Sequence, residues 1–269
     1  MDYKSKYLKY KRKYLNEKNN QYGGHTQKEI YFIRHGETVW NALGKKQGQE
    51  ADIELNEIGE EQSRKTGKYL KNYRHNNIDF DCVLSSPLKR CKKTAENICE
   101  QIDYDKSKIT YMNEIMELKN GSLSGLTNND ELMKNLTKYA MDEIALIRDP
   151  IEKYKIEIPV HQQAFYNEVI RNNSLPVVGV ETYEEILHRV NYLINYLKNT
   201  PMKKILVITH SGFLDNFIKI LFRLSVMPRG NMDNGKNCSI CYCIYDNNVF
   251  TMVSPQNTEH LSLSVSSKN

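Results

Sequence analysis

The sequence predicts an α/β fold: a three-layer sandwich with a mostly parallel central sheet, helices on both faces and a helical insertion or lid. Three observations lead there. Short apolar runs alternate with stretches of helical periodicity, the pattern of a sheet wrapped by crossover helices. The runs are apolar throughout, as strands covered on both faces are. Two of them, Ile30–Ile33 and Ile205–Ile208, stop abruptly at polar residues and glycine.

The chain of 269 residues, 39% hydrophobic, is long enough to bury one sizeable core or two modest ones. A basic, Lys/Tyr-rich extension over residues 1–24 precedes the main domain, residues 25–269. Tyr3, Tyr7, Tyr10 and Tyr14 with Leu8 and Leu15 recur at helical spacing until Gly23-Gly24. Seven basic and two acidic residues within 1–22 account for the whole formal net charge of +5. The balanced remainder argues against a general nucleic-acid surface. No apolar run approaches the roughly 18 residues of a membrane span, and the basic head lacks a secretory h-region. Six cysteines lie in apolar settings without disulfide-framework spacing, which suits a reducing compartment such as the cytoplasm. Cys238 and Cys241 form a lone C-x-x-C that reads as core rather than metal site, and Cys241 and Cys243 share one face of a strand.

Along the domain, Ile30–Ile33 is the first strand, and Asn56 opens a helix to about Lys71. Phe80–Leu84 is the second strand. Ser86-Pro87 then offers an N-cap hydroxyl and a proline at the first helical position. The helix behind it carries the stripe Leu88, Cys91, Ala95, Ile98 and Ile102. Residues 128–178 read as the insertion, with helical patterns over Leu132–Ile147 and Gln162–Ile170 and prolines at 150, 159 and 176. Thr182-Tyr183-Glu184-Glu185 is a capping box opening a strongly periodic helix. Ile205–Ile208 is a buried strand, followed by an apolar helix through Leu224. Ile240–Tyr245 and Val249–Val253 flank Asp246-Asn247-Asn248 as a hairpin.

Ligands of open α/β sheets bind beyond the carboxyl ends of the strands. Here Ile33-Arg34-His35-Gly36 and Ile208-Thr209-His210-Ser211-Gly212 each end a strand in histidine, one with an arginine beside it. The first run continues Glu37-Thr38, then Asn41 and Gln47-Gly48. Ser85-Ser86-Pro87-Leu88-Lys89-Arg90, with Thr94-Ala95, forms a second block. Glu117, Gly121 and Gly125 form a third, and His210-x-Gly212 a fourth.

These four blocks, in this order over about residues 28–255, resemble the histidine phosphatase superfamily in its phosphoglycerate mutase-like branch. The resemblance implies phosphoryl transfer through a phosphohistidine, with His35 as nucleophile and Arg34 and Arg90 as phosphate clamps. Arginine's planar fork suits the paired oxygens of a phosphoryl group. A helix N-terminus before Arg90 would add backbone donors. His35 needs an unprotonated attacking nitrogen, its other nitrogen being held by a backbone carbonyl. His210 is a further donor to the phosphoryl oxygens, and Glu117 is the general acid, chosen over Glu114 by its spacing to Gly121. Asn41, Gln47 and Gly48 are substrate-contacting loop positions by the same resemblance. Glu181 and Thr182 match a helix-start pair that reads as a structural cap. The Lys/Tyr/Leu head separately resembles short N-terminal segments of giant DNA virus proteins, which would place the protein in host cytoplasm or virion.

Some features depart from the family pattern. The loop from Gly48 to Leu55 is one residue longer than usual and acidic at Glu50 and Asp52. Leu123 and Ser124 stand where many phosphatase members carry tryptophan and glutamate. Asn128 and Asn129 occupy the stretch where mutases place basic residues for a substrate carboxylate, leaving Arg148 and Arg171 as the inserted candidates. The expectation is a phosphomonoesterase acting on a small phosphorylated metabolite, with no metal and no cofactor. A mutase using the same residues and a non-catalytic phospho-ligand binding protein are the alternatives, and homodimerisation is left open.

Overall fold

The computed structural model describes residues 27–72, 79–146, 169–222 and 235–262. The basic head and the inserted Arg148 lie outside the described residues. A six-stranded sheet runs in the order β3-β2-β4-β1-β5-β6. Its strands are β1 (Lys28–Arg34), β2 (Cys82–Ser85), β3 (Thr110–Tyr111), β4 (Lys204–Thr209), β5 (Ile240–Asp246) and β6 (Val249–Asn257). The pairs β3–β2, β2–β4 and β4–β1 are parallel, whereas β5 is antiparallel to both β1 and β6. The sheet is thus mostly parallel, with one reversed strand.

Alternate residues of the central strands face opposite layers. Ile30, Phe32, Leu84, Val207, Cys241 and Cys243 pack against α5 (Tyr183–Asn199) and α6 (Ser211–Phe222) through Val190, Leu193, Phe213 and Phe217. Tyr31, Ile33, Val83, Leu206 and Ile208 point the other way, onto Leu70 of α2 (Glu57–Lys71) and Cys91, Ala95 and Ile98 of α3 (Lys89–Gln101). That produces the three layers. Cys241 and Cys243 share a face as the spacing predicts, their sulfurs 3.9 Å apart. Each fully buried side chain of this kind contributes roughly 1.5–3 kcal/mol of transfer free energy.

Several local predictions hold in detail. Asn56 caps α2 by accepting from the Gly59 N–H at 2.8 Å. Thr182 and Glu185 form the reciprocal capping box of α5. Asn247 and Asn248 both have positive φ, 49° and 62°, the conformation of a tight hairpin turn. One prediction fails. Ser86 does not cap α3; Leu88 occupies the N-cap position without a side-chain bond. The Ser86 hydroxyl accepts from the Leu88 N–H at 3.4 Å, ahead of the helix, and also lies 2.8 Å from His210 Nε2.

Two short helices complete the described chain: α1 (Val39–Ala42) after β1, and α7 (Glu259–Ser262) packed against α2. The insertion contributes α4 (Glu131–Leu146), whose Met133 and Leu136 form a separate small core with Leu123 and Val169. Most of the second inserted helical pattern, over residues 162–168, lies outside the described residues. Gly121 anchors the insertion's return. It has φ +52°, and a Cβ there would sit 2.0 Å from the Val178 carbonyl oxygen, so only glycine fits. Among the described residues no helix is long and apolar enough to cross a membrane.

Candidate active site

Three neighbouring strands, β2, β4 and β1, end at one place. The β1–β4 register pairs Arg34 with Thr209, so His35 and His210 leave the sheet side by side. Backbone bonds fix this exit: His35 N–H donates to Thr209 C=O at 3.0 Å, and Ser86 N–H to Ile208 C=O at 3.0 Å. The two imidazoles lie 5.2 Å apart between ring centroids, inclined by 59°.

His35 is 2% exposed, and its Nδ1 lies 2.7 Å from the Gly36 carbonyl oxygen. A carbonyl only accepts, so Nδ1 carries the proton and Nε2 keeps its lone pair. Burial first, then the Arg90 and Arg34 charges, hold this imidazole well below its usual range, against the pull of the Gly36 carbonyl. His210 is depressed for the same leading reason, with Arg90 and His35 adding to it. Both rings are therefore neutral at pH 7. His210 Nε2 faces the Ser86 hydroxyl at 2.8 Å and the Cys91 sulfur at 3.3 Å. Burial pushes the Cys91 thiol up to about 12, so it stays protonated.

Arg90 has no solvent exposure at all. Its Nη1 donates to Glu50 C=O at 2.8 Å and its Nη2 to Gly48 C=O at 2.6 Å. A guanidinium has five N–H donors, so three remain for another acceptor. Burial lowers both Arg34 and Arg90 from the ordinary guanidinium value, and for Arg34 the nearby Glu117 carboxylate acts most strongly in the opposite direction. Four buried side-chain polar atoms lack a partner among the described residues, and three belong here: Arg34 Nε, Arg90 Nε and Gln47 Oε1. The two arginine Nε–H groups call for an acceptor, which an anion supplies, whereas the Gln47 oxygen calls for a donor.

Glu117 reaches the site from the loop before the insertion. Its carboxylate accepts from the backbone N–H groups of Leu118 at 2.9 Å, Gly212 at 3.2 Å and Phe213 at 2.9 Å. It thereby sits on the N-terminus of α6, where the helix dipole favours negative charge. No side-chain bond ties Glu114 to this place; its backbone carbonyl accepts from Arg189.

The loop positions divide. Gly48, with φ +53°, offers its carbonyl to Arg90 and so positions that arginine. Asn41 commits its Oδ1 to the Thr38 N–H at 3.2 Å and the Asn237 amide at 3.1 Å, beside a cleft of about 490 Å³ that Arg34 also lines. Gln47 is buried within the same loop. Thr182 caps α5, as expected, but Glu181 does more. It takes both prongs of Arg189 at 2.7 Å and the Lys119 N–H at 3.0 Å. Arg189 also donates to the carbonyls of Glu114 and Met116, both at 2.8 Å, so the pair clamps the segment bearing Glu117.

Sequence reasoning missed Arg189, Asn237 and the Ser86–His210 contact. Only the last had a local sign, since Ser86 follows a strand at the same end as both histidines. On the far side of Glu117 opens a cleft of about 790 Å³, partly walled by Leu118 and Gly212.

The chain has recognisable relatives among known proteins. The family model for the histidine phosphatase superfamily (branch 1) matches residues 30–156 and 151–258. The chain is 33% identical over 150 residues to the uncharacterized phosphatase PhoE of Bacillus subtilis, covering 51% of this chain and 73% of that one. It is 26% identical over 204 residues to the 2,3-bisphosphoglycerate-dependent phosphoglycerate mutase of Buchnera aphidicola, covering 73% and 84%. Among solved structures, phosphoglycerate mutase from Bacillus anthracis shares the fold at TM-score 0.65 and 21% identity, over 88% of this chain and 95% of that one. Phosphoserine phosphatase from Entamoeba histolytica does so at TM-score 0.57 and 23% identity, over 87% and 99%. Paired buried histidines, the buried Arg90, the half-buried Arg34 and a helix-bound carboxylate thus meet in a chain that belongs to the histidine phosphatase superfamily (branch 1).

Proposed function

We propose that the protein is a phosphomonoesterase for a small phosphorylated metabolite, working through a phosphohistidine at His35. The carrying observation is the Gly36 carbonyl oxygen 2.7 Å from Nδ1, an acceptor that fixes the proton there and leaves the lone pair on Nε2 of a buried imidazole. Nε2 attacks phosphorus and the ester P–O bond breaks. Glu117 supplies the proton to the departing oxygen. Water then attacks the phosphorus, gives its proton to Glu117, and the N–P bond breaks to release phosphate. The free N–H groups of Arg90, with Arg34 and His210, hold the three non-bridging oxygens while charge redistributes over them. The scheme draws on side chains alone and calls for no metal. The free, buried cysteines suit a reducing compartment, and we place the protein in the cytoplasm.

The test is release of inorganic phosphate from a panel of monoesters in EDTA, comparing wild type with His35→Ala. The expected result is chelator-resistant turnover that falls at least about a thousandfold in the variant. Turnover insensitive to the substitution would overturn the reading. Mutase activity is the second reading, favoured by the phosphoglycerate mutases among the relatives. Phosphoryl exchange between glycerate esters without phosphate release would establish it.

A further inference from the structure

The cleft beside Glu117 has a charge pattern that ester cleavage alone does not require. α6 presents Gly212, Asp215, Asn216 and Lys219 to it. These are positions i, i+3, i+4 and i+7, one continuous helix face. Lys46 lines the cleft from the loop before Gln47, and Lys134 and Lys138 from α4 of the insertion. Among the described lining residues four lysines therefore meet one carboxylate, Asp215.

Lys219 is the telling member. It is 7% exposed, yet among the described residues its ammonium makes no hydrogen bond or ion pair. Burial draws it below the ordinary lysine value, and the Asp215 charge opposes this. Asp215 itself is turned to Gln256, accepting from its amide at 2.9 Å. Lys46 is likewise partly desolvated, with the Glu117 charge acting to keep it protonated.

We propose that this cleft receives the leaving group of the ester and that Lys219, with Lys46, recognises a second anionic group on it, a carboxylate or another phosphate. The inference rests on the phosphomonoesterase reading of the adjoining site. Distance sets the size of the substrate. Gly212 touches the Glu117 carboxylate, and Lys219 lies seven residues on, roughly 10 Å along the axis at about 1.5 Å per residue. Helical side chains lean toward the N-terminus, which brings the ammonium back toward Glu117. A chain of roughly three to five carbons between the ester oxygen and the second anion spans the remainder. Of the two arginines considered from the sequence, Arg171 is exposed and off the cleft wall, and Arg148 lies outside the described residues.

The experiment compares kcat/KM for 4-phosphooxybutanoate with that for butyl phosphate, identical chains with and without the terminal carboxylate. Wild type should favour the carboxylate ester by about tenfold or more. Lys219→Met should bring the ratio toward one, and Asp215→Asn, which keeps an oxygen for the Gln256 amide, should raise it. A ratio near one in wild type, or one unchanged in Lys219→Met, overturns the proposal. If Lys219→Met does not fold, an unmoved ratio in Asp215→Asn overturns it equally. Failure of wild type and His35→Ala alike to cleave either ester would instead sink the phosphomonoesterase reading beneath it.

Discussion

Gly212→Ala separates the position of the Glu117 carboxylate from the stability of the fold. A Cβ at residue 212 would lie 2.6 Å from Glu117 Oε1 and 3.2 Å from Leu118 Cγ. Ordinary contact is about 3.4 Å or more, so the carboxylate must retreat by roughly 0.8 Å. It is the end of a flexible side chain, so the retreat costs little beyond weakening its bonds from the Gly212 and Phe213 N–H groups, about 1 kcal/mol each. Alanine in place of glycine in a helix returns up to about 1 kcal/mol. Stability should thus change by only about 1 kcal/mol, a few degrees in Tm for a chain of this size. Catalysis should not be spared, because a misplacement near 1 Å costs on the order of a hundredfold. The assay compares an alkyl phosphate, whose poor leaving group needs a proton donor, with 4-nitrophenyl phosphate, whose leaving group does not. We expect kcat/KM, which reports phosphoryl transfer to His35 and not the later water step, to fall about a hundredfold on the alkyl ester and less than about threefold on the aryl ester. Equal losses on both esters would refute the assignment of Glu117 as the acid.

Two further outcomes follow from buried charge. Glu181 and Arg189 are 6% and 13% exposed, so Glu181→Gln strands a guanidinium and should destabilise by about 3–5 kcal/mol in urea unfolding. The double variant Glu181→Gln/Arg189→Met should recover part of this; a fully additive double variant would show that the two do not act as a pair. His260, 4% exposed and 2.9 Å from the Thr66 hydroxyl, is pulled down to about 4 by burial. Its folded form binds protons less readily than the unfolded chain, so stability falls as pH drops below about 6.5 and keeps falling toward 4. His260 alone should remove about 2 kcal/mol between pH 8 and pH 5. Denaturation curves for His260→Gln should show a shallower pH slope, and an unchanged slope would contradict this account.

What was legible in the sequence was what local chemistry writes into neighbouring residues. Ile30–Ile33 and Ile205–Ile208 declare themselves because strands covered on both faces have no polar alternation. Thr182 and Glu185 announce a helix start, and Asn247-Asn248 a turn, because each motif satisfies its own backbone. Ser86 misled for an instructive reason. A hydroxyl before a proline suits an N-cap, but the helix starts two residues later, and Ser86 divides its hydroxyl between the Leu88 N–H and the imidazole arriving from β4. The Glu181–Arg189 clamp was hidden because half of its bonds go to backbone carbonyls of residues 114 and 116, over 70 positions away. The cleft lysines were hidden likewise: the α6 face can be read by spacing, but Lys46 and Lys134 join it only through tertiary packing.

The place of β1 in the sheet has a consequence for biosynthesis. β1 is flanked by β4 and β5, and its pairing with β4 joins residues as far apart in sequence as Glu29 and Lys204. Contacts so distant in sequence close slowly and only after the intervening chain exists. While the ribosome is still translating the insertion, β1 has neither neighbour, and His35 has nothing to hold it beside His210. The nascent chain therefore cannot bring His35 and His210 together until β4 has emerged and docked.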